Sequence, residues 1–340
     1  MPSILGNGVL RSEDPPLLTG EARFVADLPA EAALHAAFVR SQVAHARIMS
    51  VDLEEARQAP FVVAVAAAAD LDLPLMPMGA GRGGGAVDET RTAVLGRPRL
   101  ARDRVRYVGE PVAVVVAETE AAAVDAAELV RLELEPEEVV VDSLAAMAPG
   151  APLLFPPTGT NVVLDDPAAF DPGATDAGDV LEGAEVVIRQ RLVNQRVAPV
   201  PLEPSGVLAV PSPDGGLEVW ATTQAPFRLR DEVAAALGMP RDHVRGRAPA
   251  VGGGFGAKGG VYPEVVVVAA LARRLSRPVR FMETRSENLV GMTHGRAQVQ
   301  DVELGARRDG TLVGLRARLL TDVGAYPWRG TMIPQITKLM

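Results

Sequence analysis

Residues 251–260 read Val251-Gly252-Gly253-Gly254-Phe255-Gly256-Ala257-Lys258-Gly259-Gly260. Five of the seven residues from Gly252 to Lys258 are Gly or Ala, with Phe255 in the middle. Glycine costs backbone entropy, so a cluster of glycines indicates a backbone that adopts positive φ or approaches a ligand closely. Successive bare N–H groups in such a loop can form a concave anion-binding nest. We therefore predict a ligand-binding loop in this segment.

The sequence on both sides of the loop alternates between apolar runs and stretches of good helix formers. The apolar runs predict strands at 34–39, 48–51, 61–66, 112–117, 139–141, 185–193, 207–210, 217–222, 244–247, 278–283 and 311–321. The helix-forming stretches predict helices at 53–58, 120–132, 226–237 and 263–275. This alternation predicts a mixed α/β (α+β) fold. A stretch rich in Pro, Gly and Asp predicts a linker at 143–178, between a first domain at 1–142 and a second at 179–340.

Composition excludes several classes of function. The chain has 340 residues, of which 48% are hydrophobic, and it carries a net charge of −9, which argues against nucleic acid as a partner. It has no Cys, so disulfides and thiolate metal sites are excluded, and its four histidines are not spaced for a zinc site. The longest apolar run, 61–69, is too short to cross a bilayer. With no basic, apolar leader at the N-terminus, we expect a cytoplasmic protein.

The loop also fits, in part, a dinucleotide-binding fingerprint. The pattern Gly252-x-Gly254-x-x-Ala257 follows a predicted strand and precedes a predicted helix, and Glu283 ends the next strand. Against this interpretation, the leading strand carries Arg245 and Arg247, whereas a buried parallel strand is continuously apolar. An NAD-binding dehydrogenase therefore remains an alternative.

A second segment, Thr222-Thr223-Gln224-Ala225-Pro226, closes a predicted strand and opens a helix, where an amide and free N–H groups can face a ligand. Together with the glycine loop, this segment resembles the N-terminal part of the molybdenum-binding large subunit of the xanthine dehydrogenase, aldehyde oxidase and carbon monoxide dehydrogenase family. The other segments that carry the resemblance, in chain order, are Arg11–Pro15, Leu18–Gly20, Leu34–Arg40, Ala44–Ile48, Arg106–Ala117, Leu202-Glu203-Pro204 and Asp322–Tyr326.

The resemblance implies a hammerhead-like α/β domain at 1–142 and part of a molybdopterin-binding α/β domain at 179–340, incomplete at its C-terminus. It implies a molybdenum-containing molybdopterin cofactor in its cytosine dinucleotide form. Gln224 would donate a hydrogen bond to the oxo ligand of the metal. The residues expected to contact the cofactor are Gln224, Gly253, Gly254, Phe255 and Gly256. The resemblance places no metal ligand and no catalytic residue in this chain.

In the family, an aldehyde, an N-heterocycle or a similar small substrate is hydroxylated with water as the oxygen source. The resemblance therefore implies a heteromeric oxidoreductase with an iron–sulfur small subunit and an FAD-binding medium subunit as partners. The catalytic Glu of the family would lie on a further C-terminal large-subunit segment, so we expect the isolated chain to be inactive. A non-catalytic, truncated assembly subunit is the other alternative.

Three positions near these motifs modify the expectation. Gly259 stands where purine-oxidising members carry Glu, so a purine substrate is not expected. Pro199 stands where many members have His. Lys258 has a structural interpretation as well, in which it caps a helix or pairs with Glu264.

Overall fold

The computed structural model describes residues 6, 8, 10–76, 93–165 and 179–327, so residues 166–178 of the predicted linker lie outside the described residues. The chain forms two compact units. The first unit consists of Met1–Ala36 and Pro201–Arg285, and the second of Ala37–Val200 and Ser286–Met340. Helices and strands occur in both units, which confirms the predicted mixed α/β fold class.

Thirteen strands lie in the described part of the chain: β1 Leu34–Arg40, β2 Ala46–Asp52, β3 Val62–Ala67, β4 Arg104–Val105, β5 Pro111–Ala117, β6 Arg131–Pro136, β7 Val186–Asn194, β8 Gly206–Pro211, β9 Leu217–Ala221, β10 Val244–Arg247, β11 Val279–Met282, β12 Gln298–Ala306 and β13 Leu312–Thr321. The same residues contain these α-helices: α1 Asp14–Thr19, α2 Glu54–Arg57, α3 Ala68–Leu71, α4 Glu120–Glu128, α5 Ser143–Ala146, α6 Pro226–Ala236, α7 Pro263–Leu275 and α8 Arg285–Gly291.

The sheet of the first unit runs in the order β10-β9-β8-β11, with the beginning of β1 beside β11. Strands β8 and β9 form an antiparallel pair, and β10 adds to β9 in parallel. Helix α7 packs against β8 and β11 because one side of it is a row of buried aliphatic residues. Its buried members include Val266, Val267 and Leu271. This layer of helix on sheet forms the base from which the loops of the unit project.

The topology of this sheet argues against the dinucleotide-binding alternative. In a βαβ dinucleotide fold, the strand before the glycine loop and the strand after the helix are parallel neighbours. Here β10 precedes the loop and β11 follows helix α7, but β9 and β8 lie between them. Helix α7 also begins at Pro263, several residues after the last loop glycine of the fingerprint. The loop therefore does not open a dinucleotide-binding crossover.

The second unit is built around β5, which lies between β1 and β3. All seven residues of β5 are buried, as the continuous apolar run predicts. Helix α4 covers this sheet and is N-capped by Thr119, whose side chain accepts a hydrogen bond from the Ala122 backbone N–H. Two three-stranded antiparallel sheets complete the unit, in the orders β4-β2-β6 and β13-β12-β7.

Two of the predicted elements in the second unit are wrong. The helix predicted at 120–132 ends at Glu128, and residues 139–141 are not a strand. Instead, Arg131–Pro136 forms β6, which pairs with β2 in antiparallel register. The alternation Arg131-Leu132-Glu133-Leu134-Glu135 is typical of a half-buried strand, and this pairing outweighs the helix propensity of leucine and glutamate.

Strand β12, which the sequence analysis did not predict, is the centre of the sheet β13-β12-β7. Its polar positions explain why it was missed. On one face of this sheet, Asp301 and Glu303 pair with arginines of the flanking strands: Asp301 with Arg191, and Glu303 with Arg189 and Arg316. No helix among the described residues has the length and hydropathy needed to cross a membrane.

Candidate functional site

The turn after β9 places Gln224 at the beginning of helix α6. Thr223 Oγ1 accepts a hydrogen bond from the Ala225 backbone N–H at 3.0 Å, which closes the turn. Pro226 is the first helical residue, a position that needs no N–H donor. The side chain of Gln224 is exposed, so its amide is presented at the surface of the first unit.

The glycine loop adopts a sequence of left-handed conformations. Gly253 has a φ of 98° and Gly256 a φ of 86°. Phe255 has a φ of 48°, a region in which a residue with a Cβ is destabilised by roughly 1–2 kcal/mol. Its side chain is 74% exposed, so packing within the described part of the chain does not compensate for this strain. A strained residue in a glycine-rich loop suggests that the conformation serves a function.

Gln224 and the glycine loop are in direct contact. The backbone N–H of Gly256 donates to Gln224 Oε1 at 3.0 Å. Because an N–H group only donates, the side-chain amide must turn its oxygen toward Gly256 and its Nε2 away from it. In the described part of the chain Nε2 has no hydrogen-bond partner. The contact therefore orients the Gln224 Nε2 group beside the loop, with both of its N–H bonds available to a ligand.

Gly254 is required for this contact. A Cβ built on Gly254 would lie 2.5 Å from Gln224 Cδ and 2.7 Å from its Oε1. Gly252 is similarly close to Glu203, whose Cβ would lie 2.5 Å away from an added Cβ. Glycine is therefore required at positions 252 and 254 because side chains of the same unit approach the backbone closely there, and not because the chain must be flexible.

Three successive backbone N–H groups of the loop have no hydrogen-bond acceptor among the described residues, namely those of Gly253, Gly254 and Phe255. The N–H groups on either side have acceptors within the protein, since Gly252 donates to Glu203 Oε2 at 2.7 Å and Gly256 donates to Gln224 Oε1. Consecutive free N–H groups in a backbone that alternates in handedness form an anion-binding concavity. Together with Gln224 Nε2, these three backbone N–H groups form a set of hydrogen-bond donors that fits a polar, anionic cofactor.

Lys258 ends the loop and is buried, with 0% of its side chain exposed. Its Nζ donates to the backbone oxygen of Glu203 at 2.7 Å and lies 3.2 Å from Glu203 Oε2. Burial lowers the pKa of Lys258, and the carboxylate of Glu203 opposes this effect. The predicted pairing of Lys258 with Glu264 is therefore wrong. Glu203 was missed as its partner because the two residues lie far apart in the sequence.

A small cavity lies under the Gln224 turn, lined in part by Thr222, Thr223, Tyr262, Glu264 and Glu283. Its volume of about 20 Å³ is enough for roughly one water molecule. It is too small for a substrate, so the candidate site is the surface formed by Gln224 and the loop. In the described residues, no group of three or more His, Asp or Glu side chains is arranged to hold a metal ion.

Three large apolar side chains near this surface are exposed: Leu202 at 93%, Phe227 at 73% and Phe255 at 74%. Leu202 precedes the Glu203 that contacts Gly252, and Phe227 is in the first turn of α6, three residues after Gln224. Exposed apolar side chains that cluster around a polar site are typical of a surface covered by a ligand or by another protein segment.

Two further motif segments meet in the core of the second unit. Glu110, which is 1% exposed, accepts hydrogen bonds from the Tyr326 hydroxyl at 2.7 Å and from the Arg106 backbone N–H at 2.6 Å. The Arg106 guanidinium lies 4.6 Å from the ring centre of Phe155, and Tyr326 packs edge-on against the same ring. A segment near residue 110 and a segment near residue 326 are thus joined by one buried polar cluster.

Burial dominates the electrostatics of this cluster. It raises the pKa of Glu110, although the hydrogen bonds from Tyr326 and Arg106 act in the opposite direction. Burial and the nearby carboxylate of Glu110 hold the pKa of Tyr326 well above its usual value. The sequence contains no local signal for this cluster, because Glu110 and Tyr326 are separated by 216 residues.

Comparisons with known proteins identify the domains in which these residues lie. The family model of the molybdopterin cofactor-binding domain matches residues 158–340, which include Gln224 and the loop. The model of the aldehyde oxidase and xanthine dehydrogenase a/b hammerhead domain matches residues 19–138. The chain is 35% identical to the nicotine 6-hydroxylase large subunit of Paenarthrobacter nicotinovorans, over 95% of this chain and 39% of that protein.

It is also 34% identical to the carbon monoxide dehydrogenase large chain of Hydrogenophaga pseudoflava, over 92% of this chain and 39% of that protein. Its structure is similar to that of quinoline 2-oxidoreductase from Pseudomonas putida 86, with a TM-score of 0.83 and 36% identity over 94% of this chain and 40% of the other. The chain thus spans about two fifths of the length of these relatives. The chain belongs to the xanthine dehydrogenase and aldehyde oxidase family of molybdopterin-binding large subunits, as the sequence resemblance predicted.

Proposed function

We propose that this chain is the N-terminal part of the large subunit of a molybdenum hydroxylase, in which the surface formed by Gln224 and the glycine loop holds the cofactor. The observation that carries the proposal is the hydrogen bond from Gly256 N–H to Gln224 Oε1. It orients the amide so that Nε2 and the free N–H groups of residues 253–255 are available to the same ligand. When bound, the molybdopterin cofactor supplies the redox chemistry of the hydroxylation.

Each residue of the site has a separate part in this proposal. Gln224 donates from Nε2 to the cofactor, and the N–H groups of Gly253, Gly254 and Phe255 bind its anionic groups. Because these donors are held in place before the cofactor binds, they stabilise negative charge without reorganisation. Phe255 contributes an apolar wall, and its ring lies close to Gly253, where an added Cβ would be 3.0 Å from Phe255 Cε2. We propose no metal ligand and no catalytic base in this chain.

We further propose that the complete enzyme needs partners. The chain spans only about two fifths of the length of its relatives, which supports a further C-terminal large-subunit segment that carries the catalytic Glu. The exposed side chains of Leu202, Phe227 and Phe255 support a covering segment of this kind. On this proposal the isolated chain is inactive, and electrons leave through an iron–sulfur small subunit and an FAD-binding medium subunit. We place the complex in the cytoplasm, with the cofactor in its cytosine dinucleotide form.

The domain organisation and the substrate class complete the proposal. The family matches at 19–138 and 158–340 support two successive domains. We propose a hammerhead-like domain at 1–142, a linker at 143–178 and an incomplete cofactor-binding domain at 179–340. The proposed substrate is an N-heterocycle, an aldehyde or a similar small molecule. The names of two relatives, a nicotine hydroxylase and a quinoline oxidoreductase, favour an N-heterocycle.

The test is a comparison of cofactor content and turnover in the intact complex. The wild-type complex should contain molybdenum and pterin, and acid hydrolysis should release a cytidine nucleotide. Gln224→Glu keeps an oxygen for Gly256 N–H but removes the Nε2 donor. We therefore expect it to fold normally and to lose about 10²–10³-fold in kcat, the usual effect of removing one preorganised donor. The control is Gln190→Glu, the same change on the exposed strand β7, which should leave turnover unchanged. A wild-type complex without molybdenum and pterin would refute the proposed function.

A further inference from the structure

Glu203 connects the two ends of the glycine loop. At the first end, Gly252 N–H donates to Glu203 Oε2 at 2.7 Å, and Glu203 N–H donates to Gly252 O at 3.1 Å. At the other end, Lys258 Nζ donates to the Glu203 backbone oxygen at 2.7 Å and approaches its carboxylate. One residue outside the loop therefore holds residue 252 and residue 258 at a set distance from each other.

Lys258 also connects the loop to Gln224. The backbone oxygen of Lys258 accepts a hydrogen bond from Gln224 N–H at 2.9 Å and from Thr223 Oγ1 at 3.4 Å. Its side chain extends in the other direction, to Glu203. Lys258 thus links three separate segments of the chain: the turn at 203, the turn at 223–224 and the loop itself.

Burying an ion pair costs desolvation free energy, so an ion pair is a poor way to join these segments unless its directional hydrogen bonds are needed. Lys258 is buried and Glu203 is nearly so, and one carboxylate oxygen of Glu203, Oε1, is buried without a hydrogen-bond partner in the described residues. A buried ion pair stabilises a fold no better than well-packed apolar side chains of the same size. The pair therefore provides what apolar side chains cannot provide, namely hydrogen bonds that set the position of the Gly252 backbone.

We propose that Lys258 and Glu203 are a positioning pair that sets the spacing between the Gln224 amide and the free N–H groups of residues 253–255. The inference deepens the proposed function, and it rests on that function where it concerns the cofactor. The pair does not touch the ligand itself. It acts through Gly252 at one end of the loop and through Gln224 at the other, so that the donors on both sides keep the separation that one ligand requires.

The experiment separates positioning from stability with a double variant in the full complex. Glu203→Met combined with Lys258→Met replaces the buried ion pair by apolar side chains of similar length, so we expect the unfolding midpoint to remain close to that of the wild type. The hydrogen-bond acceptor for Gly252 N–H is lost, however. Amide exchange at Gly252 should be faster by about tenfold or more, as expected from the loss of one hydrogen bond to a charged acceptor.

Cofactor retention is the second measurement. During gel filtration or dialysis, the double variant should lose molybdenum and pterin faster than the wild type. The matched control is Glu218→Met combined with Arg247→Met, which removes an exposed ion pair between β9 and β10 of the same unit. This control should show wild-type exchange at Gly252 and wild-type cofactor content.

A third variant covers the case in which the double variant does not fold. Glu203→Gln keeps one side-chain oxygen for Gly252 N–H, so its Gly252 exchange should fall between that of the wild type and that of the single variant Glu203→Met, which removes the acceptor. Wild-type exchange at Gly252 in the folded double variant, or in both single variants if the double variant is unfolded, would overturn the proposal. If the wild-type complex contains no cofactor, the exchange measurement still decides whether the pair positions the loop.

Discussion

Gly254→Ala tests whether the closeness of the loop to Gln224 matters for activity. The added Cβ would lie 2.5 Å from Gln224 Cδ, whereas ordinary van der Waals contact begins at 3.4 Å. The Gln224 side chain must therefore shift by about 0.9 Å, because Glu203 holds the loop at Gly252 and at Lys258. A displacement of about 1 Å in a positioned group can cost roughly 10²-fold in rate. We accordingly expect kcat to fall by about that factor.

Stability should change little in the same variant. The side chain of Gln224 is exposed and can rotate away, so at most its hydrogen bond with Gly256 is lost, at about 0.5–1.5 kcal/mol. The reduced entropy of the unfolded chain with Ala in place of Gly offsets this by about 0.4–1 kcal/mol. The free energy of unfolding should thus stay within about 1 kcal/mol of the wild-type value.

The assay is steady-state turnover of the intact complex, combined with urea unfolding and a crystal structure of the variant. Gly295→Ala is the control, because a Cβ at Gly295 would have open space around it and this residue does not have a positive φ. If Gly254→Ala has the same kcat as Gly295→Ala while the crystal structure shows the Gln224 amide displaced, the amide position does not control turnover. An undisplaced amide would show that the loop backbone moves instead to accommodate the added Cβ, which would refute the assumption of a fixed loop.

The second unit offers two further predictions. Burial raises the pKa of Glu110 above its ordinary value of 4.5, so the carboxyl ionises earlier in the unfolded chain than in the folded one. The wild type should therefore lose stability as the pH rises from that value through the raised pKa. The loss should be about 1.4 kcal/mol for each pH unit by which the folded-state pKa of Glu110 exceeds its unfolded-state pKa. Glu110→Gln should remove this pH dependence, as measured by urea unfolding from about pH 4 to 8. Val114→Ala in the buried strand β5 should cost roughly 2 kcal/mol by the same assay, whereas Val124→Ala on the exposed side of α4 should change stability by less than about 0.5 kcal/mol. An unchanged pH slope in Glu110→Gln, or equal effects of the two valine variants, would contradict these expectations.

Local sequence signals predicted the elements whose structure depends on nearby residues. Helix α7 begins at Pro263 and ends at Leu275 as predicted, because a proline at its start and a row of aliphatic residues define it without any distant partner. Strand β10 also has the predicted bounds, Val244–Arg247. The errors lie where a distant partner decides. Residues 131–132 were assigned to a helix, yet they pair with β2 as a strand.

For the candidate site, the sequence alone determined that a glycine-rich loop and a glutamine at a helix start exist, and the resemblance indicated that they share one ligand. That they meet at a hydrogen bond, and that two of the glycines are needed for this contact, was decided by the tertiary structure. The same is true of Glu203, 55 residues from Lys258, and of Glu110, 216 residues from Tyr326. The physical reason is that backbone propensity acts over a few residues, whereas the cost of burying a charge is met by whichever partner the fold brings within reach.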